Sequence, residues 1–260
     1  MNKKVLVGMS GGVDSSVAAC LLLEQEYEVA GATLHLYNNE DAGISKARTC
    51  CSLADVEDAR SVAEHLGIEH YVFNFGPEFR HEVIGRFARG YECGETPNPC
   101  IDCNKYIKFG KMLDRAKLLG FDAVATGHYA RVEHDEKAGR WLLKKAADAS
   151  KDQTYVLYTL TQEQLAHTLF PLGGFLKPEV RSIAEKHGFV NARKPDSEDI
   201  CFVPGGDYAA FLENVMKFDS KPGNFVDANG NVIGQHKGLF HYTIGQRKGI
   251  GISFESPKYV

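Results

Sequence analysis

Ser10-Gly11-Gly12-Val13-Asp14-Ser15-Ser16 stands between an apolar run, Val5-Leu6-Val7-Gly8-Met9, and an apolar-periodic stretch from Val17 to Leu23. Strand, glycine turn and helix start, in that order, commit the chain to a β-loop-α unit. Two consecutive glycines let the backbone curl close to an anion. The hydroxyls add donors, and the first helical N–H groups point at the ligand with the macrodipole behind them. The bland reading is an N-capped helix after a tight turn, with Asp14 or Ser15 satisfying orphan N–H groups. An ordinary cap needs no pair of glycines before it, so a phosphate cradle is the stronger reading. The lysine that a G-x-x-x-x-G-K-[ST] loop sets on the β- and γ-phosphates is missing, which weakens a kinase or GTPase reading.

Downstream, strand and helix signals alternate. Residues 16–25 read as a helix, 28–35 as a buried strand, 53–66 as an amphipathic helix, 71–75 as a strand, 78–91 and 107–119 as helices, and 122–126 as a strand running to Gly127. Such alternation predicts an α/β fold with a doubly wound, mostly parallel sheet, whose ligands sit at the carboxyl ends of the strands. From Gly206 the texture changes. A short helix over 207–216 precedes Asn229-Gly230, a hairpin signal between alternating apolar residues, and 238–252 reads as further short strands. The expected division is a domain over 1–205 and a small β-rich domain over 206–260. The chain stops at Val260 within what reads as strand, so that small domain is expected to be truncated.

At 260 residues, 43% apolar and 25% charged, the composition is that of ordinary globular material. No apolar stretch approaches the roughly 20 residues of a membrane span, and no signal peptide is visible, so a cytoplasmic protein without a membrane partner is expected. Seven cysteines, an odd number without an export signal, favour catalytic or metal-binding thiols over a disulfide framework. A net charge of −4 argues against sequence-independent coating of nucleic acid but leaves room for one basic face.

Thr96-Pro97-Asn98-Pro99-Cys100-Ile101-Asp102-Cys103-Asn104 is a proline-stiffened loop leading into the 107–119 helix. Cys103 lies close before that helix start, where the dipole, Lys105 and Lys108 favour the thiolate. Cys201 lies in a second polar turn, from Lys194 to Phe202. A lone C-x-x-C is half a zinc site, and no second C-x-x-C or H-x-x-x-H completes it. Cys20 reads as core, and Cys50, Cys51 and Cys93 as inert thiols.

S-G-G-x-D-S opening the first helix resembles the pyrophosphate loop of the adenylating ATPases. Together with T-P-N-P-x-x-x-C-N-x-x-I-K-F, A-T-G-H-Y-A, S-K-D-Q-T-Y, D-S-E-D-I-C-F and H-Y-T-I-G-Q-R-K-G, it resembles the bacterial tRNA-specific 2-thiouridylase family, with the matches in order from Gly8 to Gly251. That resemblance implies ATP-dependent adenylation of the C2 oxygen of the wobble uridine, at tRNA position 34, followed by sulfur transfer from a cysteine persulfide. It further implies that Gly8, Met9, Ser10, Gly11, Gly12, Val13, Asp14 and Ser15 hold ATP, with Leu34 on the adenine and Gly127 close to the nucleotide. Asp14 would help orient Mg2+ and pyrophosphate.

Cys201 is similar to the persulfide carrier and Cys103 to the partner nucleophile, with a Cys103–Cys201 disulfide left after sulfur transfer. Neither gains much from burial in a polar loop. Asn98 would lie beside the target base, and Lys151, Asp152 and Gln153 would touch tRNA. Arg193, Lys194, Lys237, Arg247 and Lys248 are candidate phosphate contacts. His128 reads as structural or phosphate-bonding rather than as a general base. The partners implied are tRNA and a sulfur donor protein, a cysteine desulfurase or a sulfur-relay carrier. Many family members have aspartate at the place of Cys100. The alternative here is an iron-sulfur cluster on Cys100, Cys103 and Cys201 that carries the sulfur, or a non-catalytic tRNA-binding sensor built on it. The resemblance also implies a C-terminal β-barrel that grips tRNA, which this sequence is expected to lack.

Overall fold

The computed structural model describes residues 2–38, 53–196, 199–254 and 256–260. Cys50 and Cys51 fall outside these residues, as do Ser197 and Glu198.

β1 (Lys4–Gly8) has no polar alternation because both its faces are covered. Val5 and Val7 join one apolar cluster and Leu6 the other. α1 (Val13–Glu24), β2 (Glu28–His35), α2 (Leu53–Leu66) and β3 (His70–Asn74) follow. Two long helical stretches, α3 (76–92) and α4 (99–118), precede β4 (Ala123–Thr126). β1 to β4 join a later two-residue strand, β7 (Thr168–Leu169), in an all-parallel sheet of order β3-β2-β1-β4-β7. One face packs on α1, α2 and α6 (Lys177–Lys186) through Val17, Val62 and Val180; the other packs on α3 and α4 through Phe79, Phe87, Ile107 and Met112. The sheet is therefore doubly wound. Strand order reverses at β1, so the crevice between the ends of β1 and β4, where Gly8 pairs in register with Thr126, is the expected place for a ligand.

Within α3 and α4, the turns Arg80–Ile84 and Cys103–Lys111 are wound with the wider π spacing, an irregularity that recurs at functional sites. An antiparallel hairpin, β5 (Ala130–Asp135) and β6 (Arg140–Lys145), leaves the end of β4. It, the short α5 (Gln162–Ala166), β7 and α6 were not anticipated from the sequence.

α7 (Tyr208–Asn214) packs back onto the first part of the chain. Tyr208 stacks on Tyr91 at 4.6 Å, and Phe211 lies 5.4 Å from Phe202. The hairpin β8 (Gly223–Val226) and β9 (Val232–His236) turns through Gly230 at φ +85°, with Asp227 accepting from the N–H groups of Asn229 and Asn231. The short strands expected over 238–252 are absent. That stretch holds a single 3₁₀ turn, Leu239–His241, because Gly238, Gly245, Gly249 and Gly251 all sit at positive φ and break extended runs. Nor does Val260 lie in a strand. It exchanges two backbone hydrogen bonds with Gly245 and Gln246 without extending into a ladder.

Candidate active site at the ends of β1 and β4

The turn after β1 is shaped by contacts that tolerate no side chain on one side and leave the other open. Gly11 has φ +74°, and a Cβ there would stand 2.4 Å from the Asp55 carbonyl oxygen at the start of α2. Gly12 caps α1 in extended conformation, and a Cβ on it would meet only Ser10 Oγ, at 3.4 Å. Gly11 is therefore needed by the fold, while Gly12 fronts unfilled space. Ser15 Oγ accepts from the Ser10 N–H and donates to the Gly12 carbonyl, which Ser16 Oγ also reaches. These two hydroxyls hold the loop's curve, so ligand donors must come from the backbone and Ser10. Gly127 has a reason of its own: a Cβ there would lie 2.7 Å from the Asp14 and Ser15 backbone, so only glycine lets the end of β4 meet the loop.

Asp14 is not alone. Lys177, at the first position of α6 and 10% exposed, donates to both Asp14 oxygens at 2.7 and 2.8 Å, and Tyr129 donates its hydroxyl to Oδ1 at 3.0 Å. Burial first, then the charge of Asp14, pushes the Tyr129 phenol up, so it remains a donor. The Lys177 ammonium also lies 2.8 Å from Asp196, which pairs in addition with Arg181 and Lys151. Burial works against ionisation of Asp196, but the hydrogen bonds from Lys177 and Lys151 outweigh it and the carboxyl sits below its ordinary value. Sequence reading missed Lys177 and Tyr129. One signal was available for the lysine: a cation at a helix N-terminus opposes the dipole and calls for an acidic partner.

The turn 191–196 grips the loop from behind. Asn191 Nδ2 donates to the Gly11 carbonyl and to Ser16 Oγ, and Lys194 reaches the same carbonyl while pairing with Asp55 and Asp58 at 2.7 and 2.6 Å. Lys194, expected to contact phosphate, instead ties the loop to α2. Burial alone would lower it, and hydrogen bonds with the two aspartates hold it above its ordinary value. Arg193 is 90% exposed beside Glu185, and Lys237, Arg247 and Lys248 are exposed.

The cysteines depart from expectation in one respect. α4 begins at Pro99, so Cys103 lies inside the helix rather than before it, and at 8% exposure it packs in the apolar cluster. The gain from burial is thus real. Cys201 is half-buried against the same cluster, and the Tyr37 hydroxyl donates to its carbonyl. Its neighbour Phe202 is 1% exposed and makes edge contacts with Phe79 and Phe87; burying one such ring contributes about 1.5–3 kcal/mol and anchors the position. Cys100 is exposed. Leu34, at the end of β2, packs on that cluster too. Cys20 is core, its thiol pushed up to about 11 by burial and then by Glu24.

Asn98 is exposed and caps α4, its Oδ1 accepting from the Cys100 N–H at 3.0 Å. Gln153 Oε1 accepts from the Tyr129 N–H, Asp152 from the N–H of Ala146 and the hydroxyl of Thr154, and Lys151 pairs with Asp196. Gln153 and Lys151 therefore border the Asp14 cluster, and Asp152 lies between them in sequence.

His128 is buried between Phe109 and Phe170, with Nδ1 2.7 Å from Thr126 Oγ1. Burial, reinforced by Lys108, holds it well below the ordinary 6.5, and burial also lowers His70. Both are neutral structural groups. Their unfolded forms take up protons below about pH 6.5 while the native forms resist, so this part of the stability is complete above 6.5 and is lost as pH falls. Urea unfolding at stepped pH is expected to lose up to about 1.4 kcal/mol per pH unit from His128, with half-buried His70 adding less because solvent screens it. His128→Asn should flatten that slope; a wild-type stability independent of pH between 7 and 5 would contradict it.

Residues 3–205 match the family model described as tRNA methyl transferase HUP domain, and residues 209–260 that described as tRNA methyl transferase PRC-barrel domain. The chain is 55% identical over 260 residues to tRNA-specific 2-thiouridylase MnmA 2 of Caldanaerobacter subterraneus subsp. tengcongensis, covering all of this chain and 71% of that one. Against tRNA-specific 2-thiouridylase MnmA of Clostridioides difficile the identity is 54%, again over the whole chain and 72% of the relative. Among solved structures, a 4-thiouridine synthetase in complex with RNA and ATP shares the fold, with a TM-score of 0.50, 19% identity, and coverage of 83% of this chain and 50% of that one. With its loop, doubly wound sheet and two motif cysteines in place, the chain belongs to the tRNA-specific 2-thiouridylase (MnmA) family.

Proposed function

We propose that the chain catalyses ATP-dependent 2-thiolation of the wobble uridine of tRNA. The observation that carries this is the common setting of its parts: Leu34, on the strand paired with β1, which leads into the Gly12 turn, packs on the same apolar cluster as Cys103 and Cys201. Gly8 to Ser15 hold ATP, Leu34 lies on the adenine, and Gly127 closes the crevice. Asp14 fits Mg2+ as one carboxylate among phosphate oxygens, since its oxygens retain lone pairs beyond those used by Lys177 and Tyr129. The ion would supply charge neutralisation at the pyrophosphate.

Adenylation turns the C2 oxygen of uridine into a good leaving group, as AMP, and splits one hard substitution in two. The outer sulfur of a Cys201 persulfide attacks C2, AMP departs, and the Cys103 thiolate takes the inner sulfur. The new thiocarbonyl and a Cys103–Cys201 disulfide result. Asn98 borders the base, Lys151, Asp152 and Gln153 contact tRNA, and once a thiol reductant has opened the Cys103–Cys201 disulfide, a cysteine desulfurase or sulfur-relay carrier reloads Cys201 in the cytoplasm. Among the described residues no helix is long and apolar enough to cross a membrane. The two family-model matches, 3–205 and 209–260, support dividing the chain near 205 into an adenylating domain and a small tRNA-contacting one. The matched models carry a methyltransferase name; the paired cysteines and the phosphate cradle favour sulfur transfer. Incubation with tRNA, ATP, Mg2+ and a persulfide donor should release AMP and pyrophosphate in step with tRNA added, and ATP turnover indifferent to tRNA would refute the reading.

A second route for the sulfur, ranked below the persulfide, would use Cys100, which is exposed one helical turn before buried Cys103. Three thiolates could hold an iron-sulfur cluster with one iron open. Cys100→Asp is expected to keep most activity with a persulfide donor, aerobically and without iron. About four irons per chain in anaerobically prepared protein, lost together with thiolation in Cys100→Asp, would select the cluster instead.

A further inference from the structure

α1 and α6 pack together on one face of the sheet, and different chemistry joins them at each end. At their starts Lys177 pairs with Asp14. At their far ends Cys20 and Glu24 of α1 meet His187, the residue that caps α6. The Cys20 side chain is 2% exposed, and its Sγ lies 3.6 Å from His187 Nε2. Glu24 Oε1 lies 3.5 Å from the same nitrogen, and one donor atom of each residue falls within 4.8 Å of both others. Around a tetrahedral Zn2+, thiolate and imidazole donors stand about 3.5 Å apart, and imidazole and carboxylate donors about 3.4 Å. Two of the three edges are therefore already at ligand spacing. The third closes through Glu24, whose side chain is 56% exposed and has room to swing. The helix ends supply a second, electrostatic observation. α1 finishes on Glu24 with no basic residue in its last turn, so a carboxylate sits at the negative pole of the helix dipole, and the same pole of α6 ends at His187. Such an end is stabilised by a cation.

We propose that Cys20, Glu24 and His187 form a Zn2+ site that staples the C-terminal ends of α1 and α6. A thiolate, an imidazole and a carboxylate together select Zn2+ over Mg2+ or Ca2+, which take oxygen donors. The fourth position is left to water or to the second Glu24 oxygen. Binding replaces the proton of the Cys20 thiol, which leaves to solvent, and partly exposed His187 and Glu24 give the ion its way in. The site lies at the opposite end of α1 from Asp14, so its part is structural. With the Lys177–Asp14 pair at one end and the metal at the other, α1 is fixed along its length behind the phosphate turn. An imidazolium at His187 would answer the Glu24 charge alone and leave the thiol a bystander; a metal engages all three groups. The proposal stands independently of the thiolation reading and uses none of the motif cysteines.

The test uses the reduced, metal-free full chain carrying Cys100→Ser, Cys103→Ser and Cys201→Ser, so that the motif thiols take no metal. Co2+ is titrated in as a spectroscopic stand-in for Zn2+, and the thiolate-to-cobalt charge-transfer band is followed. This parent should bind one more equivalent through thiolate than the same chain with Cys20→Ala or His187→Gln added, and Glu24→Gln should weaken that equivalent at least about tenfold. Zn2+ at about a hundred times its dissociation constant should raise the Tm of the parent by about 5–10 °C. His187→Gln should abolish the rise while leaving the metal-free Tm close to the parent's. If Cys20→Ala proves unstable, His187→Gln and Glu24→Gln, both at partly exposed positions, decide. A parent that takes up no Co2+ through thiolate, or whose Tm does not respond to Zn2+, overturns the proposal. So does a band or a Zn2+-dependent Tm that survives His187→Gln, since the metal would then sit on other groups.

Discussion

Cys201→Ser and Cys103→Ser should each form 2-thiouridine at least about a thousandfold more slowly than the wild type, while tRNA-dependent pyrophosphate release continues. Serine is nearly isosteric with cysteine. The change is therefore tolerated even at Cys103, 8% exposed in the apolar cluster, and the anchoring of Phe202 beside Cys201 is untouched. What is lost is chemical: a hydroxyl neither carries sulfur as a persulfide nor cleaves one as a thiolate does. Adenylation precedes sulfur transfer, so the first half-reaction survives. Nucleoside mass spectrometry and pyrophosphate release, measured on the same samples, check the split. Normal thiouridine formation by either variant would remove that cysteine from the mechanism.

Gly12→Val and Asp14→Ala should lower isotope exchange between pyrophosphate and ATP by at least about a hundredfold with tRNA present, for different reasons. Gly12 is the cleaner probe. Its backbone is extended and a Cβ there meets only Ser10 Oγ, so valine fits the fold but fills the space that a phosphate needs. Asp14→Ala removes the carboxylate and also leaves Lys177, 10% exposed, with Asp196 as its remaining carboxylate. A loss of about 1–3 kcal/mol of stability is therefore expected with Asp14→Ala and not with Gly12→Val. Thermal melts beside the exchange assay separate the two effects. Wild-type exchange in both variants would dismiss the loop from nucleotide binding.

The frame of the fold was legible because buried parallel strands announce themselves. Val5 to Val7 and residues 28–35 lack polar alternation; α1 between them is buried nearly all round, while α2 buries one face through Ala59, Val62 and Ala63. The glycine turn located the ligand end of the sheet, and the crevice between β1 and β4 lies there. The β5–β6 hairpin was missed because its strands mix charges with apolar residues, as in Ala130–Asp135, and β7 because two residues carry no periodicity. Positive-φ glycines, which a strand reading of 238–252 overlooked, keep that stretch irregular.

At the site, local motifs were visible and long-range pairings were not. Lys177, Tyr129 and Asn191 converge on the loop from more than a hundred residues away, and no local spacing encodes that approach. Lys194 was taken for a phosphate ligand because its charge is readable, whereas Asp55 and Asp58, which claim it, lie on a distant helix. Gly127, which the resemblance sets close to the nucleotide, has a second reason to be glycine that its motif does not show: the backbone of Asp14 and Ser15 leaves no room for a Cβ. Cys103 reads as lying in a polar loop just before the helix because Asn98 and Pro99, the cap and first residue of α4, also read as turn formers.

Thiolation of the wobble uridine is tested most directly by incubating an unmodified substrate tRNA with the full chain, ATP, Mg2+ and a persulfide donor, then digesting it and mapping modified nucleosides by mass spectrometry. The expected product is 2-thiouridine at position 34, dependent on ATP and absent with Cys201→Ser. A tRNA that stays unthiolated while ATP is consumed, or that gains a methyl group or sulfur at another position, would contradict it.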